Sequence, residues 1–98
     1  MKQELQESLF KSYPKIFARR QMSKEYTAMC YGIQCPDKWY SVIDTLCARI
    51  QSYADQQGLI CEANQVRSKF GSLRFYVTYS DPYIRGLIHM AESISLKL

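Results

Sequence analysis

Residues able to bind anions are concentrated in one part of the chain. Arg67, Lys69, Arg74 and Tyr76 lie in the stretch 63–80, which contains no acidic residue. Guanidinium and ammonium groups attract anions, and tyrosine beside arginine suits stacking on a nucleobase or a protein contact. A solvated surface would explain the same charges. These four residues nevertheless form the most informative candidate site of the sequence.

A second basic segment lies near the N-terminus. It contains Lys15, Arg19, Arg20 and Lys24, with no acid between them. With a formal net charge of +4 and a pI near 8.9, the chain as a whole is only mildly basic. We therefore treat Arg19 and Arg20 as an extension of the candidate binding face rather than as a site of their own.

No group of residues matches a catalytic motif. Nucleophilic catalysis needs a nucleophile beside a tuned base, and His89 is the only histidine of the chain. The acidic residues form no motif, and the four glycines are too scattered for a phosphate-binding loop. The sequence therefore predicts a protein that is not an enzyme and carries no cofactor.

The four cysteines, Cys30, Cys35, Cys47 and Cys61, form no recognisable metal site. Cys30 and Cys35 could begin one, but structural zinc sites usually need a second close pair of ligands. Cysteines of proteins in reducing compartments remain thiols. We expect free thiols and no bound metal.

The candidate residues lie on a predicted β-hairpin. Gly71-Ser72 separates two β-favouring runs, and glycine at the first position of a two-residue loop suits a type II′ turn. With this turn, Lys69 opposes Arg74. Strand alternation places the cations and the tyrosine on one face. The other face is predicted to lie in the core and contains Val66, Ser68, Phe70, Leu73, Phe75 and Val77.

Like charges directly opposite each other destabilise a pair of strands. The predicted Lys69–Arg74 pair therefore needs a compensating negative charge. An acid of the same chain, such as Glu62, is one candidate, and an external anion is the other. Only the external anion makes this face a binding site.

Helices and one further strand are predicted around the hairpin. Apolar residues recur at helical spacing in 2–13, 37–57 and 82–98, whereas residues 25–34 alternate weakly, as a strand does. We therefore expect one α+β domain over residues 1–98. It has a small antiparallel sheet, made of the hairpin and one further strand, with three helices packed against it. Gly32 is predicted to mark a bulge or a close approach.

Residues that begin or end helices support these boundaries. Pro14 ends the first helix, because the residue before a proline avoids the α region. Either Pro36 is the first residue of the second helix or Asp37 caps it. Gly58 suits the end of that helix, and Asp81 suits the cap of the third.

The composition is that of an ordinary globular domain, with 98 residues, 13% of them aromatic and 22% charged. No run approaches the ~18 apolar residues of a membrane span. The first residues also lack the apolar region of a signal peptide. We expect a protein of the cytoplasm without a membrane partner.

Five short segments form a distinctive combination: Tyr13–Phe17, Met29–Gly32, Trp39–Cys47, Lys69–Tyr76 and Met90–Ser93. In this combination the chain resembles a family of small proteins encoded by tailed phages and prophages. The resemblance covers nearly the whole chain. It implies an accessory phage gene whose product acts in the host cell, without implying a particular biochemical activity.

Small phage proteins without an active site commonly act by binding. We expect a non-enzymatic accessory protein that binds a host protein or protein–nucleic-acid complex; inhibition of a host defence or nucleic-acid-handling complex is one such action. The alternative is a protein that binds nucleic acid directly through the basic and aromatic hairpin face. Both hypotheses use the same contact residues: Arg67, Lys69, Arg74 and Tyr76, extended by Arg19 and Arg20.

Overall fold

The fold combines three helices with a sheet of three strands. The structure, a computed structural model, describes residues 1–98. Its elements in chain order are α1 (Gln3–Ser12), β1 (Ile33–Gln34), α2 (Tyr40–Gln57), β2 (Ala63–Lys69), β3 (Ser72–Val77) and α3 (Pro82–Ser95), with 3₁₀ turns at Met29–Tyr31 and Asp37–Trp39. The predicted α+β class and the three predicted helices are confirmed.

The sheet is mixed, so the prediction of a purely antiparallel sheet was wrong. β1 pairs with β2 in parallel, and β2 pairs with β3 in antiparallel fashion. The backbone N–H of Ala28 donates to the Asn64 carbonyl, and Ile33 then pairs with Val66. Both segments therefore advance in the same direction along β2. The predicted strand over 25–34 is reduced to its last two residues, because a 3₁₀ turn precedes them.

The hairpin turns one residue earlier than predicted. Phe70 and Gly71 form the loop with φ of 55° and 78°, and Lys69 pairs with Ser72. Two successive positive φ values are typical of a type I′ turn, whose twist matches that of the strands. The predicted type II′ turn at Gly71-Ser72 was therefore wrong. Because the pairing shifts by two positions, each strand residue keeps its predicted face.

The inner face of the sheet forms the core with all three helices. Ile33, Val66 and Phe75 lie side by side across the three strands and are each no more than 3% exposed. They belong to a hydrophobic cluster of 18 residues that α1, α2 and α3 all contribute to. Two residues predicted for this face, Ser68 and Phe70, are instead exposed. Both lie close to the hairpin turn.

Side chains from two helices occupy the edges of the sheet. On β1, the N–H of Ile33 donates to Gln6 Oε1 at 2.9 Å. On β3, the N–H of Leu73 donates to Ser95 Oγ at 3.0 Å. Unpaired strand edges invite association with other chains. These two contacts satisfy an edge donor on each side and fix α1 and α3 against the sheet.

The predicted helix ends are partly confirmed. Gly58 ends α2 in the left-handed conformation, and Asp81 caps α3 by accepting a hydrogen bond from the Ile84 N–H. Asp37 does not cap α2. Its carboxylate instead accepts the N–H of Lys2 at 2.8 Å, at the start of α1. Asp37 thus links the beginnings of two helices, which local sequence spacing could not indicate.

The Asp81 cap predicts a specific loss of stability in acid. Hydrogen bonds from the Ile84 N–H and the Tyr53 hydroxyl hold the pKa of this carboxyl below its ordinary value of 3.8. A carboxyl with a depressed folded-state pKa stabilises the fold above its unfolded-state pKa and loses that contribution as pH falls. We expect Asp81→Asn, which still caps, to differ most from the parent at pH 6. The difference in unfolding free energy should shrink below about pH 4. Urea denaturation measures the unfolding free energy of both proteins. An equal difference between parent and variant at pH 6 and below about pH 4 would contradict this role of Asp81.

Candidate binding face

The face of the sheet opposite the core carries the predicted site. Gln34, Arg67 and Arg74 form a row across the three strands, and Gln65 and Tyr76 form a second pair beside it. None of these side chains is buried. We call this surface the open face; it consists of Gln34, Gln65, Arg67, Arg74 and Tyr76, with Lys69 at its hairpin end.

The like-charge pair on this face differs from the predicted one. Arg67, rather than Lys69, lies opposite Arg74. Arg74 Nη1 bonds Glu92 Oε2 on α3 at 2.9 Å and Ser72 Oγ at 3.1 Å. The acid that compensates Arg74 is therefore in the same chain, but it is Glu92 rather than the candidate Glu62.

Two cations of the open face have no acidic partner. Arg67 and Lys69 belong to none of the ion pairs of the chain, which involve Lys2, Lys15, Arg19 and Arg74 as the cations. Lys69 Nζ lies 5.7 Å from the centre of the Phe70 ring, within the range of a cation–π contact. The positive charge of these two side chains is thus available to an external anion.

Arg19 and Arg20 occupy different surroundings. Arg19 Nε bonds Glu62 Oε1 at 3.1 Å, and Glu62 directly precedes β2, so Arg19 lies near the start of β2 with its charge already compensated. Arg20 lies over the Phe10 ring at 5.3 Å and donates to the Phe17 carbonyl. It lines a polar cleft between α1 and the segment 20–32. The structure therefore groups the four hairpin residues and places Arg20 apart from them.

Phe70 is the residue of this region that the sequence analysis missed. It was predicted to lie in the core, but it occupies the hairpin tip and is 91% exposed. A positive φ is unusual for a bulky residue, so the sequence Phe-Gly does not suggest a type I′ turn, which favours Asn-Gly or Asp-Gly. The position of Phe70 directly before Gly71 is the sequence signal that could have placed it in the hairpin turn.

The cysteines contribute no reactive thiolate to the open face. Burial raises the pKa of Cys35 to about 12 and that of Cys61 to about 11, and it also raises the pKa of Cys47. Cys30 is exposed, and all four are free thiols. No group of three or more histidine, cysteine, aspartate or glutamate side chains is placed to hold a metal ion.

Two further findings concern the whole chain. No family model, curated protein or solved structure matches it. The resemblance to tailed-phage proteins therefore stays a prediction, and function must be inferred from the side chains of the open face. None of the helices combines the length and the apolar character needed to cross a lipid bilayer.

Proposed function

We propose that this chain is a small non-catalytic protein of a phage or prophage that binds an anionic macromolecule of the host through the open face. The target is a nucleic-acid-handling or defence complex, in which protein acids and nucleic-acid phosphates both supply negative charge. The observation that carries the proposal is the pair of uncompensated cations, Arg67 and Lys69, on a sheet face where neither side chain is buried. The phage setting is supported by the resemblance of the five segments alone.

The arrangement around Arg67 favours an external anion. Arg67 lies opposite Arg74, and like charges at such positions destabilise a strand pair by about 0.2–1 kcal/mol. Glu92 compensates Arg74, and Glu62 is held by Arg19 at the far end of β2. Both of these acids are therefore already engaged in ion pairs. Arg67 itself has no acidic partner, and an anionic ligand would form charge-assisted hydrogen bonds with its planar guanidinium group.

The chemistry of the open face suits binding better than catalysis. An arginine guanidinium stays protonated in proteins and cannot act as a general base. Glutamine side chains offer hydrogen bonds without titrating near neutral pH. The positive field of the face would also accelerate encounter with an anionic partner. Recognition and steering are the functions that these residue types supply together.

A double charge reversal tests the proposal. We expect Arg67→Glu with Lys69→Glu to weaken binding to the host partner by about tenfold or more, since each charge-assisted hydrogen bond contributes about 1.5–3 kcal/mol. Folding should survive, because the carboxylate introduced at position 67 would face Arg74 as an opposite charge. Tagged parent and variant are used for affinity capture from host lysate, with and without nuclease. The measured quantity is the amount of each partner that the parent captures and the variant does not.

The matched control is Arg49→Glu with Lys38→Glu. It changes net charge by the same amount, but on α2 and on the 3₁₀ turn before it. We expect this control to capture the partner as the parent does. Equal capture by the parent and the open-face variant, with both folded by circular dichroism, would show that the open face is only a solvated surface.

A further inference from the structure

Phe70 is exposed and held in an unfavourable backbone conformation at the same time. Its φ is 55°, and its side chain is 91% exposed. Asparagine or glycine would form the same turn with less strain. Strained residues of this kind cluster at ligand-binding sites, where the strain presents a side chain to a partner. The hairpin tip therefore exposes an aromatic ring to solvent, with Lys69 beside it.

The composition of the open face discriminates between partners. Its residues are arginine, lysine, glutamine and tyrosine, with no aliphatic side chain. The core of a protein–protein interface is more apolar and is depleted in charged residues. Aromatic rings combined with cations are instead the groups that bind single-stranded nucleic acids, in which bases stack on the rings and phosphates contact the cations.

The spacing of these groups suits an extended strand. Tyr76 lies four residues beyond Ser72 on β3, which is about 13 Å at 3.3 Å per residue. Arg67, opposite Arg74, lies between the tyrosine and the hairpin tip. Along the hairpin, the order is therefore Phe70 at the tip, then the cations, then Tyr76. A duplex keeps its bases stacked inside and could not contact both rings with its bases.

Resting on the proposed function, we infer that the anionic ligand of the open face is a single-stranded nucleic acid. Phe70 and Tyr76 stack on unpaired bases, while Arg67 and Lys69 contact the phosphates between them. Because every base has a face that can stack, the expected preference is for single strands over duplexes rather than for one sequence.

Binding is tested with fluorescein-labelled 15-nucleotide probes: oligo-dT, oligo-rU, a duplex and an abasic strand of the same length. Two phosphate contacts predict a salt slope of about −1.4 for a single strand, at about −0.7 per contact. Phe70→Asn should lower affinity for oligo-dT about 5- to 150-fold, the effect of losing one stacked base. It should leave affinity for the abasic strand unchanged. The same variant should raise Tm, since asparagine tolerates a positive φ, so unfolding cannot explain the lost affinity.

Two outcomes overturn the inference while the proposed function stands. The first is equal oligo-dT affinity of Phe70→Asn and the parent. The second is no binding to any probe, together with a captured protein partner that survives nuclease and depends on Arg67 and Lys69. Phe70→Trp provides a direct readout, because stacking on bases should quench the emission of the new exposed indole. Unchanged emission at saturating oligo-dT would also overturn stacking at the hairpin tip.

Discussion

Replacing Phe75 by alanine is expected to lower the free energy of unfolding by about 3–5 kcal/mol, the usual cost of removing a buried aromatic side chain. Phe75 is 3% exposed and lies beside Val66, the central residue of the row that Ile33, Val66 and Phe75 form across the inner face of the sheet. A domain of this size is stable by about 5–15 kcal/mol, so one substitution could remove much of that margin. Urea denaturation of parent and variant measures the difference.

The adjacent residue on the same strand provides the control. Tyr76 points to the open face and is 46% exposed. Tyr76→Ala should cost less than about 1 kcal/mol, since surface substitutions away from packed features have small effects. Equal losses for Phe75→Ala and Tyr76→Ala would mean that the alternation assigned to β3 does not separate core from surface.

The faces of the hairpin could be predicted because they depend on alternation alone. Phe75 is inside, while Arg74 and Tyr76 are outside, although the turn lies one residue away from its predicted place. A shift of two positions in pairing leaves each side chain on its own face. The turn itself was missed because Phe70 adopts a positive φ, which propensity argues against.

The extent and the direction of the third strand could not be predicted from periodicity. Only Ile33–Gln34 pairs with β2, and two residues are too few to leave an alternating pattern. Its direction follows from a hydrogen bond between Ala28 and Asn64, which are distant in sequence. Most of the segment 25–34 forms turns rather than a strand. Its weak alternation arises because some apolar residues of these turns, such as Met29, are buried.

The candidate site was predictable in its residue types but not in its charge balance. The cations of 63–80 stood out because no acid accompanies them in sequence. Which of them is free depends on tertiary packing: Arg74 meets Glu92 only because α3 lies along the edge of β3. Arg67 lies on β2, the central strand, and belongs to no ion pair.

Replacing Gly32 by alanine is expected to lower the free energy of unfolding by about 2–6 kcal/mol, the sum of two costs. Gly32 has φ 76° and ψ −160°, a region that only glycine adopts readily, at a cost of about 1–3 kcal/mol for other residues. An added Cβ would also meet Gln6 Oε1. Displacing Gln6 would leave the Ile33 N–H unsatisfied at the sheet edge, which adds about 1–3 kcal/mol.

Two further variants separate these causes. Gly58→Ala also places alanine at a positive φ, of 66°, but with no atom within 4 Å of the added Cβ, so it should cost only about 1–2 kcal/mol. Gln6→Ala removes the contacting side chain. Gly32→Ala combined with Gln6→Ala should therefore cost less than the sum of the two single changes, because both break the same hydrogen bond. Strict additivity, or a Gly32→Ala loss no larger than that of Gly58→Ala, would mean that α1 does not hold the edge of β1 through Gln6.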